Sequence, residues 1–153
     1  IGTSAGIDST QVGVALGVST GVATLGALAA AGLADRIGRI IPVTVALLVQ
    51  VVMIWLLQGE MSFLQFMLTA AIFQTFWNLN GPYIMGTIAL SDTTGRVSLL
   101  IPTAQIGGFF LGPVIAGPML TPGAGYGPAN TLAIACCLLA LAIFIPVAMR
   151  LKR

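Results

Sequence analysis

The chain contains no histidine, and only two of its residues are cysteines, the adjacent Cys136 and Cys137 on an apolar run. Adjacent thiols without histidine or a second cysteine pair make neither a zinc site nor a disulfide framework. No metal or cofactor is expected, and no Ser-His-Asp, Cys-His or phosphate-loop constellation is present, so an enzyme is not expected either. Charge is scarcer still. Six Lys or Arg and four Asp or Glu make up 7% of the 153 residues, where a soluble domain carries charge on about a quarter. A domain this small has too much surface for so few charges to cover. Nothing in the charge pattern suits nucleic acid as a partner.

What is abundant is apolar. Hydrophobic residues make up 58% of the chain and mean hydropathy is +1.05, so the expected solvent and first partner is a lipid bilayer. The apolar segments recur along the whole length, which a secretory signal alone does not explain. A helix needs roughly 20 apolar residues to cross the hydrocarbon, and five stretches qualify: residues 11–33, 40–57, 62–90, 97–120 and 129–149. Each is expected to be helical, because lipid cannot satisfy an open backbone and the alternating strands of a barrel are absent. The third is longer than required, which predicts tilt or a bend at Gly81-Pro82. The expected class is therefore an all-α integral membrane protein, a bundle of five transmembrane helices.

Orientation follows from the cations. With five spans, the segments after the first, third and fifth share one side. They hold Arg36, Arg39, Arg96, Arg150, Lys152 and Arg153, which is every Lys and Arg in the chain. The other side holds only Asp8 and Glu60. The positive-inside rule assigns the basic segments to the cytoplasm, so a multi-pass protein of the cell (inner or plasma) membrane is expected, C-terminus inside. Asp8, Ser9 or Thr10 can cap the first helix. A chain that enters from outside without a signal segment is expected to be a fragment, with at least one span upstream.

The loop after the first span reads Ala31-Gly32-Leu33-Ala34-Asp35-Arg36-Ile37-Gly38-Arg39. Gly38 permits a tight reversal between antiparallel helices, and Asp35 and Arg39 place opposite charges at the membrane surface. This segment resembles the short cytoplasmic loop of the major facilitator superfamily, Gly-x-Leu-Ala-Asp-Arg-x-Gly-Arg followed by a basic residue. It departs from that pattern at Ala31 and at Ile40, which stand where the family has its first Gly and its trailing base. On the fourth span, Gly108, Gly112, Pro113 and Gly117 are similar to a Gly-x-x-x-Gly-Pro-x-x-Gly pattern of the family, and small residues at this spacing let helices approach closely in lipid.

The resemblance implies a twelve-helix fold in two six-helix halves, of which this chain supplies helices 2–6 or 8–12. The third span lacks the mid-helix Arg common on the family's fourth helix, and the chain stops in a short basic tail. Both favour the C-terminal half, helices 8–12, with the N-terminal half of the same chain as its missing partner. The implied activity is secondary active transport of a small solute by alternating access. Gly32, Asp35, Arg36, Gly38 and Arg39 would then form a conformational loop in which Asp35 and Arg39 latch onto a helix end of the other half.

No charged residue lies within a span, so a proton-coupling group is expected elsewhere in the full protein. The polar side chains concentrate on the third span, where Met67, Ala70, Ala71, Gln74, Trp77, Asn78, Gly81 and Met85 form one stripe at 100° per residue. Gln74, Trp77 and Asn78 are the leading substrate-cavity candidates, with Gln105 on the fourth span. The same amides could equally serve as hydrogen-bonding glue between helices. Ser19, Thr20 and Thr24 can bond their own backbone carbonyls. Asn80 and Tyr83 lie off the stripe and read as packing or capping groups around Pro82. Trp55 and Tyr126 suit interfacial anchors. A small helical membrane protein that oligomerises through Gly108 and Gly112, without transport, is the competing expectation.

Overall fold

The computed structural model describes residues 1–33, 37–120 and 125–150. Five α-helices account for most of them: α1 (Ser9–Leu33), α2 (Ile40–Leu56), α3 (Phe63–Ser91), α4 (Leu100–Ala116) and α5 (Gly127–Arg150). Short 3₁₀ turns precede α1 and follow α4, and no strand occurs among the described residues. The helix count and the limits agree with the sequence reading to within a few residues. Three helices are long and apolar enough to cross a membrane: α1, α4 with its 3₁₀ extension to Met119, and α5. The helix α2 is apolar but has only 17 residues. The longest helix, α3, is diluted by Gln65, Gln74, Asn78 and Asn80, so it fails on hydropathy rather than on length.

Local chemistry explains the ends. Asp8 is the residue that caps α1, its carboxylate accepting the Thr10 N–H at 2.9 Å, and that bond holds its pKa below the ordinary carboxylate value. The Ser62 hydroxyl caps α3 by accepting the Gln65 N–H at 3.2 Å, a free donor of the first turn. Each of the four connections between helices turns on a glycine with positive φ: Gly38, Gly59, Gly95 and Gly125. At Gly38, with φ +64°, the left-handed backbone reverses the chain within the basic loop, as its sequence predicts. Inside the helices, the hydroxyls of Ser19, Thr20 and Thr24 donate to carbonyls three or four residues back, so none of them needs a ligand. Pro82 is carried within a continuous α3.

Packing runs in the order α1, α3, α2, α5. The buried face of α1 is Ala15, Ser19, Ala23, Gly26 and Ala30, a stripe of small side chains at helical spacing that brings α1 close to α3. At Gly26 a Cβ would fall on the Thr75 carbonyl oxygen and 2.9 Å from its carbon. Two core clusters lie toward opposite ends of the bundle. One joins Ile7 and Ala15 to Met61 and Phe66, and the other joins Ala30 to Val43, Leu47 and Tyr83. The first gathers the N-terminal segment with the α2–α3 connection, and Ser4 reaches Tyr126 of the α4–α5 connection at 3.5 Å. These three segments therefore share one end, as five alternating spans require. At the other end, Arg39 of the basic loop lies beside Gly86 on α3.

Helix α4 stands apart. It carries no buried residue, and its contact with the rest is made across a cavity.

Candidate functional site

The cavity lies between α2, α3, α4 and α5 and has a volume of about 590 Å³, within the range of roughly 300–1,000 Å³ typical of small-molecule sites. Helix α3 supplies one wall through Trp77, Asn80, Gly81, Ile84, Met85 and Ile88. Leu47 and Gln50 come from α2, Leu100, Ile101, Ala104 and Gln105 from α4, and Cys136, Cys137 and Ala140 from α5, with Val97 at the rim. The lining is apolar apart from three amides, and no charged side chain belongs to it. Trp77 is stacked on Phe73 with ring centroids 6.3 Å apart, which braces it one turn away on the same helix.

The structure divides the sequence-based candidates. Trp77 and Gln105 line the cavity from facing helices. Asn78 lies on the other side of α3, where its Nδ2 donates to the Ala23 carbonyl of α1 at 3.2 Å. It joins helices. Gln74 is half-buried and outside the lining. The cavity face of α3 is rotated from the stripe read in the sequence and shifted toward the C-terminal half of the helix. The reason is the small-residue face of α1, which covers α3 at Thr75 and Leu79 and takes Asn78 with it.

Two residues of the site stand outside the polar stripe of the sequence. Gln50 carries a usable signal, since a lone amide in an otherwise apolar 17-residue helix must face protein if lipid surrounds the helix. Asn80 reads in the sequence as a packing or capping group around Pro82. Gln50 is 1% exposed and Asn80 7%, and neither Gln50 Nε2 nor Asn80 Oδ1 has a hydrogen-bond partner among the described residues.

Of the loop residues, Asp35 and Arg36 lie outside the described residues. Gly32 closes the last turn of α1, Gly38 makes the reversal, and Arg39 leads into α2. Gly108 and Gly112 on α4, and Gly117 in the 3₁₀ turn that follows it, are exposed and nothing lies within 4 Å of where their Cβ atoms would be. Pro113 is exposed beside them. Among the described residues, no atom of another helix lies within 4 Å of these glycine positions.

The α3–α4 connection is organised by Asp92. Its carboxylate accepts the Ser98 N–H at 2.7 Å, the Thr94 N–H at 3.2 Å and the Thr94 hydroxyl at 3.1 Å. The Ser98 bond is the main reason its pKa falls from 3.8 to about 2, because hydrogen bonds to the charged form favour it. A lowered folded pKa means that the carboxylate's contribution is complete above its unfolded value and disappears as pH drops toward 2. The Ser98 amide is therefore expected to be protected from deuterium exchange at pH 5 and to lose that protection only as pH falls through about 2. In Asp92→Ala it should be unprotected throughout this range.

No protein-family model, curated protein or solved structure matches the chain.

Proposed function

We propose that this chain is the C-terminal half of a secondary membrane transporter of the major facilitator type, carrying a small neutral or amphipathic solute. The observation that carries the reading is the cavity of about 590 Å³, walled by four helices and furnished with amides rather than charges. A solute held between helices in this way is what an alternating-access carrier requires, since the site opens to one side and then the other as packed elements rock. Further support comes from the Gly-x-x-Asp-Arg-x-Gly-Arg loop with its reversal at Gly38, and from the gathering of every Lys and Arg in segments on one side of the five-span order. The unpartnered face of α4 suits the same reading, because a helix of the other half would cover it.

The reading predicts about seven further apolar spans in the coding sequence upstream of Ile1, with a cytoplasmic linker between two six-span halves. A start codon just upstream, with no more than one additional span between it and Ile1, would replace it. In the full protein, Asp35→Asn is expected to change the rate of solute flux several-fold while leaving solute affinity nearly unchanged, as a latch would. Flux and affinity both equal to wild type would remove the latch.

A second reading is favoured by one observation, the open glycine face at Gly108 and Gly112. Two copies of the chain could pair there without any transport. In that case Gly112→Leu abolishes a native homo-oligomer. On the transporter reading it impairs folding or flux and no homo-oligomer is lost.

A further inference from the structure

Toward the basic loops the lining of the cavity becomes aliphatic: Met85 and Ile88 on α3, Val97 before α4, and Leu100 and Ile101 in the first turn of α4. Met85, Val97 and Leu100 are 40%, 53% and 61% exposed, so this end is an open groove rather than a closed pocket. Cations flank its mouth. Arg96 immediately precedes Val97 and is exposed. Arg39 Nε lies 3.8 Å from where a Cβ on Gly86 would be, and Gly86 follows Met85. Two carboxylates share this side in the five-span order. Asp35 lies outside the described residues, and the carboxylate of Asp92 is taken up by Ser98 and Thr94. An aliphatic groove that ends between two guanidinium groups complements a molecule with a long hydrocarbon chain and an anionic head. Arginine matches a phosphodiester through its planar fork of donors, and the anionic lipids of a cytoplasmic leaflet draw basic segments beside a membrane helix. A free phosphate would leave the groove empty, and a neutral apolar molecule would leave the arginines unused.

We infer that this groove between α3 and α4 holds an acyl chain of an anionic phospholipid, whose phosphate is bound by Arg39 and Arg96. The inference rests on the bilayer part of the proposed function and not on transport.

The test is the retention of defined lipids by the full protein purified in detergent, read by native mass spectrometry. Dioleoyl phosphatidylglycerol and dioleoyl phosphatidylcholine share their chains and differ in charge. The unmutated protein is expected to hold the anionic lipid about tenfold more tightly. Arg39→Gln and Arg96→Gln should each weaken it about fivefold and leave the zwitterionic lipid unchanged. Arg150→Gln removes the same charge well past Ala140, the last lining residue of α5, and should change retention by less than about twofold. Equal losses from all three variants would mark a diffuse attraction to the basic face and overturn the site. Ile101→Trp fills the groove, leaves both arginines in place and should weaken the anionic lipid several-fold. No change there would put the chain elsewhere and overturn the inference. Glycerol 3-phosphate carries the head without the chain and should not displace the lipid at equal concentration. Displacement would reveal a free-anion site and overturn it too. Equal retention of the two lipids by the unmutated protein, a comparison that needs no variant to fold, would overturn the inference and leave the bilayer reading standing. A protein that stays monomeric in water without detergent and retains neither lipid would overturn both.

Discussion

Replacing Gly26 with alanine is expected to open the α1–α3 interface and to lower stability by about 3 kcal/mol or more. The added methyl group would land on the Thr75 carbonyl oxygen, 2.9 Å from the carbonyl carbon and 3.2 Å from the Leu79 nitrogen. These are backbone atoms of a helix interior, so no side-chain rotation can relieve the overlap. Overpacking with room to adjust costs about 1–3 kcal/mol, and here whole helices must separate. The same separation would lengthen the Asn78–Ala23 bond and the Tyr83–Ala30 bond, now 3.2 and 3.4 Å. Gly21→Ala is the matched control, since it sits on the same helix with open space around it and gains helix propensity. Unfolding by titrated denaturing detergent should place Gly26→Ala far below wild type and Gly21→Ala at or slightly above it. Equal stability of the two variants would mean that α1 does not cross α3 at this point.

The second large effect is expected at Asn130. Its Nδ2 donates to the carbonyls of Leu57 at 3.0 Å and Ile54 at 3.4 Å, at the C-terminal end of α2, where the Ile54 carbonyl also accepts the Leu57 N–H at 3.2 Å. The residue is 6% exposed, so water is poorly placed to substitute. Asn130→Ala should cost about 1–3 kcal/mol. Asn130→Asp keeps the shape but turns both donors into acceptors against two carbonyl oxygens. Asp also gains from the N-terminal field of α5, worth about 0.3–1 kcal/mol. Direct opposition at these distances in a buried site outweighs that gain, so Asp is expected to be worse than Ala. The unfolding midpoints of the two variants decide it. An Asp variant as stable as wild type would show that the α2–α5 join does not depend on this amide.

Much of this architecture could be read before any coordinates. Helix limits were legible because charges, prolines and glycines cluster where the apolar stretches end, and a long apolar stretch that must satisfy its own backbone has few alternatives to a helix. The reversal at Gly38, a cap drawn from Asp8, Ser9 or Thr10 and the back-bonding of Ser19, Thr20 and Thr24 were legible because each depends on neighbours in sequence. The facing of the helices was not. In a soluble helix the apolar stripe marks the core, but α1 is built of Ala, Gly, Val, Leu and Thr on every side. The close approach at Gly26 therefore has no contrast to announce it. The same ambiguity moved the α3 site. Asn78 and Asn80 are equally polar in sequence, and only the position of α1 decides that Asn78 bonds Ala23 while Asn80 is left to the cavity. Gln50 and Asn130 carried a usable signal, each a solitary amide on an apolar helix and each buried against other helices.

Access to the cavity from both sides of a membrane is the central claim, and the native pair Cys136 and Cys137 lining it offers a direct probe. The full protein in sealed vesicles can be treated with a membrane-impermeant thiol reagent from the outside alone, or from the inside alone. Mass spectrometry then reads the modification on the peptide that contains these two residues. An alternating-access carrier predicts labelling from either side, reduced when a transported solute occupies the cavity. Labelling from one side only, or from neither, would contradict it.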